Sequence, residues 1–233
     1  VKILPSRAPF ADFDAPAPDD DWLDNAFLLD ELAGGLHGLV AQVPWRGRIR
    51  WDVILPDAEF VPGWEVRGAP VMAPIATLVH WTAAKPSLLR PAPSKAICID
   101  GRDSIPGPLC HVLVSYTGVP IVIASGRANH AGIGDQSVLT AIKGGFLAPH
   151  QPGVDTGGSG GAFAGVEVEN DGTAPLTAKQ LVTIARIDAG MRAQYHWGAT
   201  PDRSLDHARF TRRKIDLVRH RASVPCLKWL TAA

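Results

Sequence analysis

The chain has 233 residues, 46% of them hydrophobic, with 23 basic residues balancing 23 acidic ones. That length holds one sizeable domain plus an extension and can bury a real core. No apolar run approaches the length that spans a bilayer, and three cysteines without a CxxC pair read as reduced thiols rather than as a disulfide framework or a cysteine-based zinc site.

The neutral total hides a segregation. Acidic residues crowd the start (Asp12, Asp14, Asp19, Asp20, Asp21, Asp24, Asp30, Glu31), and the stretch from Arg203 to Lys228 is strongly basic. Solvated faces are the ordinary reading of such runs, although the basic end can also attract an anionic polymer such as cell wall or nucleic acid. The first residues, VKILPSRAPF, lack the charged and apolar regions of a signal peptide, so Sec export is not expected. A start without Met is expected of a trimmed chain or an excised domain.

In chain order, residues 1–20 read as an acidic, Pro- and Ala-rich linker. DWLDNAFLLDELAGG fits a short amphipathic helix, opened by Asp21 or Asp24 and ended by Gly34-Gly35. The Trp- and Pro-rich residues 41–74 suggest extended segments leading into the main domain, which is expected over 66–233 after a helical and extended segment over 21–65. IATLVHWT is apolar on both faces, as a central strand is. HVLVSYTGVPIVIAS reads as two strands around a tight turn at Thr117-Gly118. GGSGGAFAG lacks P-loop and dinucleotide-fingerprint spacing and reads as a surface loop. AGVEVEN alternates, with Val166 and Val168 on one face and Glu167 and Glu169 on the other. The clearest helix follows: Thr177 and Gln180 form a capping box, Leu176 and Leu181 a staple, and Leu181, Ile184, Ala185 and Met191 share a face. Strands mixed with helices predict an α/β fold, a central mixed sheet flanked by helices, with an N-terminal extension.

Eight histidines are present, and His37, His150 and His220 carry no pattern of their own. His80 ends the buried strand, where side chains project into sites; a core-edge histidine bonded to backbone is the alternative. His207 and Asp216 share DHARFTRRKID, with Lys214 between them; a surface salt-bridge network is the alternative there. Together His80, His207 and Asp216 supply the three N or O ligands of a hydrolytic zinc site with an open fourth position. Glu167 is then the candidate base for a water activated there, and Lys214 the cation for a developing oxyanion. The neighbouring arginines are expected to meet solvent or an anionic substrate.

LVHWTA, GPLCHVLVSYTGVPIVIASGRANHAGIG, GVEVEN and HARFTRRKID occur in that order. Over about residues 75–220 this set resembles the zinc N-acetylmuramoyl-L-alanine amidase family, which shares its fold with peptidoglycan recognition proteins. Within it the nearest likeness is to amidase domains of endolysins from phages of actinobacteria. The resemblance implies zinc on His80, His207 and Asp216, a catalytic glutamate at Glu167 and a catalytic lysine at Lys214. It also implies that His111 and His130 line the substrate groove, a purely structural role being the alternative. Two details depart from it: Leu217 stands where relatives usually have Pro, and His196 in QYHWG is a rival second ligand that lacks the Lys-x-Asp sequel.

The implied activity is hydrolysis of the amide joining N-acetylmuramic acid to L-alanine in peptidoglycan. A non-catalytic wall-binding module and a zinc endopeptidase are the alternatives. The expected partner is peptidoglycan, with no nucleic acid and no membrane, and the expected state is a monomer. An endolysin of this kind is made in the host cytoplasm and reaches the wall once a holin opens the membrane.

Overall fold

Six strands form the central sheet. In chain order they are β1 (Glu59–Phe60), β2 (Ala76–Trp81), β5 (Val112–Val114), β6 (Pro120–Val122), β9 (Phe163–Val168) and β10 (Ser204–Asp206). The computed structural model describes residues 47–70, 74–149, 151–159, 161–197 and 203–216. The chain divides into units of 1–42 and 43–233, and every described residue belongs to the second. The linker and helix expected before residue 36, together with His37, His150, His220 and Cys226, lie outside the described residues.

The spatial order is β1-β6-β5-β9-β2-β10. Only the β5–β6 hairpin is antiparallel; β1–β6, β5–β9, β9–β2 and β2–β10 all run parallel, so the sheet is mixed as expected. Two short antiparallel pairs stand apart: β3 (Gly101–Arg102) with β4 (Ile105–Pro106), and β7 (Ile133–Gly134) with β8 (Gly157–Gly158). The glycine-rich stretch is therefore not loop throughout. Gly157-Gly158 pairs with β7, and its AFAG end enters β9.

Helices cover both faces. They are α1 (Trp51–Ile54), α2 (Lys95–Asp100), α3 (Gln136–Lys143), α4 (Ala178–Gln194) and α5 (His207–Phe210). On one face Val79, Val112, Val114, Val122, Val166 and Val168 pack against Ile184, Ile187 and Met191 of α4. The capping box forms as expected: Thr177 Oγ1 accepts from the Gln180 N–H at 3.2 Å, and Gln180 Oε1 from the Thr177 N–H at 3.0 Å. On the other face Leu78, Phe163 and Leu205 pack with Val138, Leu139 and Ile142 of α3, while Leu113, Ile121 and Ile123 join Cys98 and Cys110 in a second cluster. The β5–β6 turn needs its glycine. Gly118 has φ +82°, and a Cβ there would stand 2.5 Å from the Lys179 Cβ.

Residues 47–65 are more than a lead-in. Trp51 and Trp64 are buried in the same cluster as α4, and Trp51 Nε1 donates to the Ala124 carbonyl at 3.0 Å. The four-residue helix around Trp51 is too short to show a 3.6-residue period, so sequence pattern missed it. No helix among the described residues is long and apolar enough to cross a membrane. Trp51→Ala is expected to destabilise the fold by about 3–5 kcal/mol in urea unfolding; a loss below about 1 kcal/mol would detach this segment from the core.

Candidate metal centre

Parallel register assembles the site. His80 on β2 pairs with Glu167 on β9, so both side chains leave the same face of the sheet. Asp206 pairs with Val79, which sets His207, the next residue, abreast of His80. Asp206 caps α5 by accepting from the Arg209 N–H at 3.0 Å, turning the chain sharply after His207.

The basic loop that follows is fastened to the protein and brings Asp216 back to the two histidines. Thr211 Oγ1 donates to Asp155 at 2.7 Å, Arg213 Nε donates to the same carboxylate at 2.5 Å, and Arg212 Nε donates to the Pro152 carbonyl. Arg209 is fully buried and donates to the Ala148 carbonyl at 2.9 Å. Arg209 departs from the expectation that these arginines face solvent or substrate, because it is buried; Arg212 and Arg213 are exposed as expected and also tie the loop to residues 152 and 155. Among the described residues, Lys214 alone of the four cations has an exposed side chain with no such tie.

His80, His207 and Asp216 are the one group among the described residues whose donor atoms can jointly hold a metal ion. The His80 and His207 Nδ1 atoms lie 2.9 Å apart, and Asp216 Oδ2 lies 2.9 Å from His207 Nδ1 and 3.5 Å from His80 Nδ1. A cation about 2 Å from each donor in tetrahedral geometry sets donors about 3.3 Å apart, close to this triangle.

The outer ring nitrogens decide what the inner ones carry. His207 Nε2 lies 3.1 Å from the Ala131 carbonyl and His130 Nε2 lies 3.2 Å from the Phe163 carbonyl. A carbonyl only accepts, so both Nε2 atoms carry hydrogen and, in neutral rings, both Nδ1 atoms are bare. His130 Nδ1 is 3.0 Å from His80 Nε2 and must accept from it, which leaves His80 Nδ1 bare as well. Burial keeps His80 neutral, lowering its pKa to about 4, with neighbouring His207 acting in the same direction and Asp216 opposing. His130 is pushed well down by burial, then by its histidine neighbours. With both rings neutral, two bare Nδ1 lone pairs and a carboxylate converge on one point. Such a triad calls for a cation, and the residues fit a zinc-type ion with three N or O ligands.

Glu167 lies partly buried on the same face, with Oε2 inaccessible and without a hydrogen-bond partner among the described residues. Burial raises its pKa well above the usual carboxylate range, helped by Cys98 and Asp216 and opposed by the Lys214 charge. Glu169, two residues on, is absorbed by structure: it accepts from the Ser94 N–H at 2.7 Å, the Ser94 hydroxyl at 3.0 Å and the Thr82 hydroxyl at 2.8 Å. His196 is exposed at the end of α4 with φ 50° and is not part of the donor group. His111 is buried, and its Nδ1 accepts from the Gly165 N–H at 2.8 Å, while the His111 N–H donates to the Gly165 carbonyl at 2.9 Å. Its ring stands in for a strand carbonyl. His130 turns both ring nitrogens onto the protein, towards His80 and Phe163. The sequence left a structural role open for both positions but could not supply the partners, because each bond depends on segments far apart in the chain.

Fold and site together define an α/β chain carrying a three-donor pocket of the composition that hydrolytic metal sites use. The profile of the N-acetylmuramoyl-L-alanine amidase family matches residues 71–225, and the chain belongs to this family. No curated protein sequence matches it. Among solved structures it is similar to a selenomethionine derivative of AmpD (16% identity over 76% of this chain and 95% of that one, TM-score 0.45). It is also similar to the "Endolysine N-acetylmuramoyl-L-alanine amidase LysCS" from Clostridium intestinale URNW (17% identity over 65% of this chain and 81% of that one, TM-score 0.39).

The buried His111 generates a pH prediction. Burial lowers its pKa to about 4, against an ordinary 6.5, with the Gly165 bond opposing. The unfolded chain therefore takes up this proton first as pH falls, and stability is lost between about pH 6.5 and 4. Urea midpoints of metal-free protein should drop across that window, and less steeply in His111→Asn, whose side-chain oxygen can still accept from Gly165. Equal slopes for the two proteins would contradict this account.

Proposed function

We propose that the chain is a zinc-dependent amidase that hydrolyses the bond between the lactyl group of N-acetylmuramic acid and L-alanine in peptidoglycan. His80, His207 and Asp216 would hold the metal. The observation that carries this reading is the convergence of these three donors beside a buried glutamate oxygen with no partner among the described residues, in a chain of the amidase family. Bound zinc would supply a Lewis acid that polarises the substrate carbonyl and acidifies water.

The chain's own residues do the rest. Glu167 takes the proton of the attacking water; burial gives its carboxylate a high proton affinity, so the proton is retained for delivery to the leaving nitrogen. Lys214, exposed two residues before Asp216, steadies the oxygen on which negative charge develops. Its charge already acts on both Glu167 and His80. We further infer an endolysin role for a monomer from a phage of actinobacteria, made in the host cytoplasm and released to the wall. The likeness of the sequence motifs to such amidase domains supports this.

Mutations separate the roles. Glu167→Gln should bind one zinc per chain yet lose activity by about 10²–10⁴-fold. Lys214→Ala should lower kcat by about 10²–10³-fold with zinc retained. His207→Ala should lose zinc and activity together, as read by metal analysis after dialysis.

The bond itself is tested by mass spectrometry of fragments released from purified actinobacterial peptidoglycan, with and without a zinc chelator. Chelator-sensitive release of intact stem peptides with free L-alanine N-termini is expected. Cleavage within the stem peptide would make the protein an endopeptidase, and binding without release would make it a recognition module.

A further inference from the structure

His130 and Ala131 are neighbours in sequence, yet they serve different histidines of the metal centre. The His130 ring meets His80 Nε2 at 3.0 Å, and the Ala131 carbonyl meets His207 Nε2 at 3.1 Å. The short stretch is itself anchored. The Asn129 N–H donates to the Pro108 carbonyl at 2.8 Å and its side-chain amide to the Pro106 carbonyl at 2.9 Å. The His130 and His80 rings meet edge to face with centroids 5.1 Å apart.

The far side of the His130 ring is supported by an absence of side chain. His130 lies over Gly165 of β9 so closely that a Cβ there would stand 2.6 Å from ring carbons Cγ and Cδ2. Any other residue at 165 would drive the ring off its place. Gly165 also sits two pairs before the His80–Glu167 pair in the parallel register, opposite Leu78. The bare backbone at that point is therefore what lets a histidine reach the back of His80, and the Phe163 carbonyl, two residues earlier on the same strand, fixes which of its nitrogens carries hydrogen.

We propose that His130 is a positioning residue of the metal centre, which accepts the His80 Nε2–H and so holds His80 in the tautomer and orientation that aim a bare Nδ1 at His207 and Asp216. This rests on the zinc reading above and deepens it. The expected role of His130 in the substrate groove gives way to an outer-shell one. Ala131 does the same for His207 through its main chain, so residues 130–131 form one strap behind both imidazole ligands.

The physical consequence is specific. Without the acceptor, the buried His80 Nε2–H has no partner, and the proton moves to Nδ1, where Asp216 lies 3.5 Å away. Metal must then displace that proton, which lowers affinity. Outer-shell partners of this kind are worth about 10–100-fold in metal binding.

The experiment compares wild type with His130→Phe, which keeps an aromatic ring and removes the acceptor, and His130→Asn, which keeps an acceptor oxygen near the Nδ1 position. Zinc dissociation constants are measured by chelator competition, and cobalt-substituted proteins are compared by visible absorption. The expected result is about 10–100-fold weaker zinc binding and an altered cobalt spectrum for His130→Phe, with His130→Asn recovering most of both. Wild-type affinity and spectrum in His130→Phe would overturn the proposal, as would equal losses in the two variants, which would reduce His130 to packing. Failure of the wild-type protein itself to bind zinc would instead overturn the zinc reading, and this proposal with it. Gly165→Ala gives an independent check: it should weaken zinc binding in the same direction by displacing the ring, and unchanged affinity would count against the proposal.

Discussion

A main-chain carbonyl oxygen accepts hydrogen bonds and never gives one, and two such oxygens govern the centre of this molecule. Phe163 fixes the proton of His130, His130 fixes that of His80, and Ala131 fixes that of His207. In neutral rings the outcome is a pair of bare Nδ1 atoms facing a carboxylate at 2.9 and 3.5 Å. In water such a cluster would loosen or take up protons. Here burial makes protonation of His80 costly, so that ring keeps a lone pair which a cation can take up.

The sheet exists in the form that this constraint needs. Parallel β2, β9 and β10 carry their chemistry at corresponding register positions, so His80, Glu167 and His207 come together without any long excursion of the backbone. One face is filled by valines under α4, leaving the other free to host polar groups between two smaller apolar clusters. Asp216 is the exception, since it comes from a loop. Its position depends on the ties that Thr211, Arg212 and Arg213 make to residues 152 and 155. A cation bound by all three donors stabilises the folded state by mass action and links that loop to the sheet.

What could be read from the sequence was what depends on local period or spacing. The alternation in AGVEVEN separated Val166 and Val168 from Glu167 and Glu169, and the structure keeps that division. Thr177 with Gln180 announced the start of α4 because both halves of a capping box lie within one turn. The β5–β6 hairpin followed from its glycine. What could not be read depends on pairs distant in the chain. Trp51 reaches Ala124 across 73 positions, and a four-residue helix has no period to detect. His111 completes a ladder at Gly165, Glu169 holds Ser94, the residue before α2, and His130 backs His80 across 50 positions. The glutamate pair illustrates the limit. Alternation put both on one face, but only the fold shows Glu169 saturated by three donors and Glu167 with an oxygen unpartnered.

The measurement that tests this account most directly is long-range proton–nitrogen NMR of the imidazole rings in metal-free protein near neutral pH. The account predicts that His80, His130 and His207 are all neutral and protonated at Nε2, with both ligand Nδ1 atoms bare. Addition of zinc should shift the Nδ1 signals of His80 and His207 while the Nε2 protons stay in place. A proton on Nδ1 of His80, or a charged His207 imidazolium paired with Asp216, would contradict it.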